Sequence, residues 1–380
     1  MIKKPQVLAC GFFKFSTWKY FQVTPMMNSN KQESIMPVIK YLPGFIAALG
    51  GALLAESLNL PIPWLLGSLL TTAVLSLNKL PVKAPGFCRK AGLTVIGISL
   101  GLYFTPQMAG ILLAHWPLLV FGMIFAIALG IMGSMLLYRY AKVNFTTAWY
   151  AAAVGGASEM AYMADKAGAE VGKVVSAHSL RVLMIVTIVP FFYQYMGYHS
   201  TDNSSLNHNS AVHWGGLILL LGWSYLFARF FEWRNWSNPW TFGPLLAATV
   251  LTLCDIHLSA VPPSVSHIGQ LFIGWALGNK FAPGFFKSAP RLLSVVAVSV
   301  SLSLALTALA TYGLTQINDI PLPTLGLGLS PGGVAEMTIT AKVLQLGVPI
   351  VTAFHVSRMV AVVGTAGILC RYLQPRIERK

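Results

Sequence analysis

The stretch Gly155-Gly156-Ala157-Ser158-Glu159-Met160 returns 177 residues later as Gly332-Gly333-Val334-Ala335-Glu336-Met337. Continuing without a gap, His178-Ser179-Leu180-Arg181 meets His355-Val356-Ser357-Arg358. Nine of the 27 positions from Gly155 to Arg181 are identical to their partners, and the nine include both glycines, the Glu, the His and the Arg. Upstream at the same offset, Ile96-Gly97 matches Ile273-Gly274, Gly101 matches Gly278, and Phe104 and Pro106 match Phe281 and Pro283. Pro63-Trp64 with Gly67 matches Pro239-Trp240 with Gly243, one residue out of step. A duplicated unit therefore covers almost the whole chain.

Each unit is apolar. The 380 residues are 55% hydrophobic and only 10% charged, with a mean hydropathy of +0.66, too little charge to coat a water-facing surface. Apolar runs such as Thr105 to Tyr138 and Arg291 to Leu314 are long enough to cross a hydrocarbon core of about 30 Å as helix. No alternating strand pattern appears, so the expected fold is an all-α polytopic membrane protein and not a β-barrel. The net charge of +15 sits in short clusters between the apolar runs, which points to the positive-inside rule and away from nucleic acid. The four cysteines are scattered, and Lys4 to Cys10 is too short for the apolar core of a signal peptide.

Loop charge sets the relation between the two copies. In the first, Lys79–Lys90 and Arg139–Lys142 are basic, while Asn59–Pro63 and Phe104–Ala114 carry no Lys or Arg. In the second, Asp255–Pro263 and Gln316–Pro323 lack basic residues, while Arg229–Arg234 and Lys280–Arg291 have them. Corresponding loops thus prefer opposite sides, which requires an odd number of crossings per copy: two inverted repeats of about five spans each. The expected spans lie near 43–59, 61–78, 91–106, 110–138 and 173–197, then 213–229, 239–254, 264–280, 291–315 and 350–371. The expected organisation is a weakly ordered cytoplasmic leader over 1–40, repeat 1 over 41–198, an external linker over 199–212, repeat 2 over 213–375 and a cytoplasmic tail over 376–380. Both termini are then cytoplasmic, in a multi-pass inner-membrane protein. The segments near 148–168 and 325–345 enter and return, or cross while another element fails to span.

Paired glycines inside an apolar run each cost on the order of 1 kcal/mol of helix stability against Ala, and inside a membrane a broken backbone survives only buried in protein or along an aqueous cavity. Gly155, Gly156, Gly332 and Gly333 therefore mark discontinuous or re-entrant helices. Glu159 and Glu336 fall in the first turn of the half-helix that follows, where the dipole favours negative charge. His178 and Arg181, like His355 and Arg358, are three apart and share a helix face. Glu159 and Glu336 are the candidates to carry a coupling proton or sodium ion. Arg181 and Arg358 are candidates to bind a substrate anion or neutralise the glutamates, with the histidines assisting. The competing structural alternative is a Glu–Arg salt bridge where the half-helices cross, with glycines needed for close packing.

Other features carry less. His199, His208 and His213 cluster in the linker, but no metal site and no cofactor are assigned. No P-loop, Rossmann glycine pattern or nucleophile elbow is present, so an enzyme is not expected.

The paired G-G-x-x-E-M and H-x-x-R motifs, with P-W-x-x-G opening each copy, resemble the AbrB family of bacterial inner-membrane proteins over about residues 40–375. That family is defined by this duplication and shares only its name with a soluble DNA-binding regulator. The first copy has Val154 where the second has Pro331. The resemblance implies an inner-membrane protein linked by name to ammonia monooxygenase and to regulation of gene expression. A copper monooxygenase needs a richer histidine set than one His per motif. The family also looks related to inverted-repeat antiporters and symporters with crossed broken helices, an analogy of fold. Expected from all this is a secondary transporter of a small anionic or zwitterionic solute coupled to protons or sodium. The alternative is a membrane-bound regulator acting through a partner. A homodimer is left open.

Overall fold

The computed structural model describes residues 39–197 and 212–377, apart from 235, 237 and 282. The expected leader and linker lie outside the described residues except for 39–40 and 212. Among the described residues there are helices and no strands. The first half runs α1 (Leu42–Ser57), α2 (Pro63–Leu77), α3 (Gly86–Gly101), α4 (Pro106–Ala114), α5 (Trp116–Ala141), α6 (Phe145–Ala152), α7 (Ala157–Lys166) and α8 (Val171–Tyr195). The second runs α9 (Trp214–Trp233), α10 (Pro239–Leu253), α11 (Pro263–Gly278), α12 (Phe285–Ser288), α13 (Pro290–Thr315), α14 (Leu322–Leu329), α15 (Val334–Val343) and α16 (Val348–Ile377). Helix for helix, the halves correspond.

All ten expected spans are helices, but they are not equal. Five of them, α5, α8, α9, α13 and α16, are long and apolar enough to cross a membrane alone. The others, α1, α2, α3, α10 and α11, have 15 or 16 residues, about 24 Å at 1.5 Å per residue and short of a full hydrocarbon core. Their apolar runs are longer than their helices because turns cut them. Asn59, Ile62, Lys79, Asn238 and Asp255 all adopt left-handed backbone, and Ile62 and Asn238, each just before a Pro-Trp, do so at φ 49° and 45°. The expected span over 110–138 is likewise divided: α4 ends at Ala114, and it meets α3 at a bend of 83°.

Repeated glycines bring helices together across the two halves. A Cβ on Gly97 of α3 would lie 2.6 Å from Thr241 O of α10, and one on Gly278 of α11, the counterpart of Gly101, would lie 2.6 Å from Leu69 O of α2. In lipid, where apolar burial gives helices little reason to associate, such close backbone approach supplies the packing. The halves thus exchange partners, α2 against α11 and α10 against α3, with α5 against α16 and α13 against α8. The equivalent helices α5 and α13 run antiparallel. Arg291 Nε, at the start of α13, donates to Tyr140 O at the end of α5 at 2.6 Å. Midway, Gly133 faces Ser299.

Contacts among the connections follow their charge. Lys90 pairs with Glu232 at 2.9 Å and Trp275 Nε1 donates to Val82 O at 2.8 Å, tying the basic loops together. Gln194 Nε2 donates to Asn59 O at 3.0 Å and the His213 N–H to Ser259 Oγ at 3.1 Å, gathering loops without Lys or Arg. Large apolar side chains such as Ile218, Leu226, Val298 and Leu309 cover the outside. The chain is an integral membrane protein.

Replacing Gly97 or Gly278 by Leu should lower stability by about 1–3 kcal/mol through overpacking, whereas Gly50→Ala, with open space around it, should change it by no more than about 0.5 kcal/mol. Thermal unfolding in detergent measures both.

Candidate functional site

Each repeat contains a helix, a break and a return helix. Asn144 Oδ1 starts α6 by accepting the Thr147 N–H at 2.8 Å. After Ala152 the chain leaves helix, and α7 begins at Ala157. The hairpin closes at its mouth, where Thr147 Oγ1 accepts the Glu170 N–H at 3.0 Å. In the second repeat Thr324 Oγ1 accepts the Gly347 N–H at 3.2 Å. Both segments therefore enter and return.

At eight residues, α6 and α14 are each about 12 Å long, so their carbonyl ends stop inside the protein. Those carbonyls have no continuing helix to bond them. His178 Nε2 meets Tyr150 O at 2.8 Å, while Arg181 reaches Ala153 O at 2.8 Å with Nη1 and Gly155 O at 3.2 Å with Nη2. His355 Nε2 meets Leu327 O at 2.9 Å, and Arg358 reaches Ser330 O and Gly332 O, both at 2.5 Å. The register is the same in both copies. Arg Nη2 also bonds the His Nδ1, at 2.7 Å in the first copy and 2.8 Å in the second. A guanidinium only donates, so Nδ1 accepts and the ring proton sits on Nε2, facing the carbonyl. The spacing shared by the two H-x-x-R pairs is thus explained by carbonyl capping.

The motif glycines make room. Both hairpin glycines preceding the return helix have ordinary negative φ, −66° at Gly156 and −82° at Gly333. What a side chain lacks there is space: a Cβ on Gly156 or Gly333 would strike the carboxylate of Glu159 or Glu336. A Cβ on Gly155 would lie 3.0 Å from Met160 Cε, and one on Gly332 2.5 Å from Met337 Cγ. Each letter of G-G-x-x-E-M therefore has a partner within the motif, first Gly with Met and second Gly with Glu.

Glu159 and Glu336 are the third residues of α7 and α15, in the first turn as expected. Neither forms a salt bridge among the described residues, and the Glu–Arg pair of the structural alternative is absent there. Glu159 Oε2 is buried with no hydrogen-bond partner. Lys280, just beyond α11, lies within Coulombic range of Arg89 and of both carboxylates. It lines a small void with Ala157 and His178. The two tips also meet: Val154 and Pro331, equivalent residues of the two breaks, line one void with Arg181, Ser299 and Ser303.

Lys280 escapes a search for shared residues because its counterpart is Tyr103. Asn238, whose Nδ2 would lie 3.2 Å from a Cβ on Gly156, escapes likewise, being matched by Ile62. Trp240 sits against Lys90 and donates Nε1 to Glu232 Oε1 at 3.1 Å. No group of three or more His, Cys, Asp or Glu able to hold a metal occurs among the described residues.

Residues 64–374 match a family described as transition state regulatory protein AbrB. The uncharacterized protein YhjN of Bacillus subtilis (strain 168) is 25% identical over 343 residues, covering 84% of this chain and 88% of YhjN. A protein of Escherichia coli (strain K12) with the provisional name regulator AbrB is 22% identical over 321 residues, covering 83% of this chain and 91% of its own.

Removing either guanidinium leaves at least two buried carbonyls unpaired, at about 1–3 kcal/mol each. Arg181→Ala and Arg358→Ala should therefore lose about 2–6 kcal/mol in thermal or denaturant unfolding. Glu159→Gln, which removes a charge that has no ion-pair partner, should stay within about 1 kcal/mol of the parent.

Proposed function

Because the chain belongs to the AbrB family of membrane proteins, and because its duplicated broken helices meet, we propose that it is a secondary transporter. Its solute is small and anionic or zwitterionic, and it is coupled to protons or sodium. One observation carries this: two carboxylates in the first turns of re-entrant half-helices, both without an ion pair among the described residues. An ionisable group held inside a membrane without structural use is a functional group by default, and such half-helix tips are where transporters hold ions and solutes.

In this mechanism Glu159 and Glu336 take up the coupling ion, and Lys280 offsets their charge when they are empty. Arg181 and Arg358 hold the broken ends open with His178 and His355. Since both terminal nitrogens of each Arg are already bonded to the backbone, they attract an anion through their field and do not clamp it directly. Gly155, Gly156, Gly332 and Gly333 let the carboxylates fold back against the tips. The antiparallel pairing of α5 and α13 supports an inverted relation of the repeats, because a two-fold axis that reverses helix direction lies in the membrane plane. The gathering of basic loops on one face supports an inner-membrane protein with both termini cytoplasmic.

Solute-driven proton and sodium fluxes in proteoliposomes test the proposal across a panel of organic acids and amino acids. Glu159→Gln and Glu336→Gln should fold and yet lose coupled flux to background. Undiminished flux in both variants would remove the glutamates from the mechanism.

A further inference from the structure

A cavity of about 370 Å³ opens between the start of α3, the start of α10 and the end of α11. Its polar lining is Arg89, Lys90, Asn238 and Asn279, and Trp240 and Leu93 form part of an apolar wall. At about 30 Å³ per water it has room for roughly a dozen waters, or a small organic molecule. Asn238 forms part of its lining and also lies against Gly156, so this one side chain stands between the cavity and the tip that carries Glu159.

The charges around the cavity are not equally engaged. Lys90 and Arg229 both pair with Glu232, at 2.9 Å and 2.6 Å. Lys280 lies within Coulombic range of Arg89 as well as of Glu336 and Glu159. Arg89 makes no hydrogen bond or ion pair among the described residues, and its half-buried side chain faces the cavity. A second comparison comes from the duplication. The positions equivalent to Arg89, Lys90, Asn238 and Asn279 are Ser266, His267, Ile62 and Leu102. The ring stacking survives, with His267 on Trp64 at 5.0 Å where Lys90 lies 4.7 Å over Trp240. The cationic lining does not survive. It is thus no by-product of the architecture both halves share.

We propose that this cavity is the solute site, and that it binds a small organic anion with its charged end on Arg89 and its apolar body against Trp240 and Leu93. The inference rests on the transporter reading and names its substrate class. Arg suits the task because its planar fork bonds a carboxylate through two parallel N–H groups. Asn238 and Asn279 supply neutral amide donors beside it. Few precisely placed polar groups in a mostly apolar cavity are the usual composition of a small-molecule site. An anion here is separated from the tip that carries Glu159 by Asn238, so two negative charges come near each other unless the glutamate is neutralised. That sign favours movement of solute and coupling cation together.

The test is thermal unfolding of the full chain in phosphatidylcholine nanodiscs, with benzoate as probe and benzamide as its neutral isostere. Benzoate should raise the midpoint by about 5 °C at roughly 100 times its Kd, and benzamide should not. Arg89→Gln should abolish the rise, Asn279→Asp should weaken it by adding a carboxylate to the wall, and Lys83→Gln, an exposed charge in the same region but outside the cavity, should keep it. No rise with benzoate, an equal rise with benzamide, or an undiminished rise in Arg89→Gln overturns the assignment. So does an Arg89-dependent stabilisation by phosphatidylglycerol without any by benzoate, which identifies a lipid headgroup site. Coupled flux that depends on the glutamates, together with benzoate binding that ignores Arg89, would leave the transporter standing and remove only this site.

Discussion

A peptide carbonyl that ends a helix inside a membrane has no water to turn to, and leaving it unpaired costs several kcal/mol. This protein ends two helices there, at Ala152 and Leu329. The solution in both is one His and one Arg from the next long helix, reaching back 26 to 28 residues to the carbonyls of the break. The rest of the site depends on that solution. With the carbonyl ends closed, the amide ends of α7 and α15 can face each other's neighbourhood, and the first-turn glutamates are left without structural duty.

The two copies share this scaffold and differ in what surrounds it. Shared residues cap, space and break the helices: the glycines admit the Glu and Met side chains, and the threonines close the hairpin mouths. Unshared residues give the site its polarity. Lys280 stands where the other copy has Tyr103, Asn238 where it has Ile62, and Arg89 where it has Ser266. One set of positions therefore contributes a cationic cavity lining, while the set equivalent to it contains Ile62, His267 and Ser266.

Much of this was legible in the sequence. The internal echo located the breaks, placed both glutamates in first turns and matched every span to a helix. Two things could not be read. Arg181 and Arg358 were expected to meet an anion or the glutamates, because charge seeks charge; their actual partners are backbone atoms, visible only once the hairpin folds back. Lys280, Asn238 and Arg89 were hidden by the same device that revealed the motif, since searching for what the copies share discards what distinguishes them. The expected span over 110–138 is the one that a break divides, at His115 between α4 and α5.

If the cavity beside Arg89 leads solute to Glu159, water reaches the first hairpin tip from the basic face. Ser158 lies between Gly156 and Glu159 at the first tip and is exposed. In a background with the native cysteines replaced, Ser158→Cys in right-side-out and inside-out vesicles, treated with a membrane-impermeant thiol reagent, measures that access directly. The account expects labelling from the basic face, slowed by benzoate. Labelling only from the opposite face, or none from either, would contradict it.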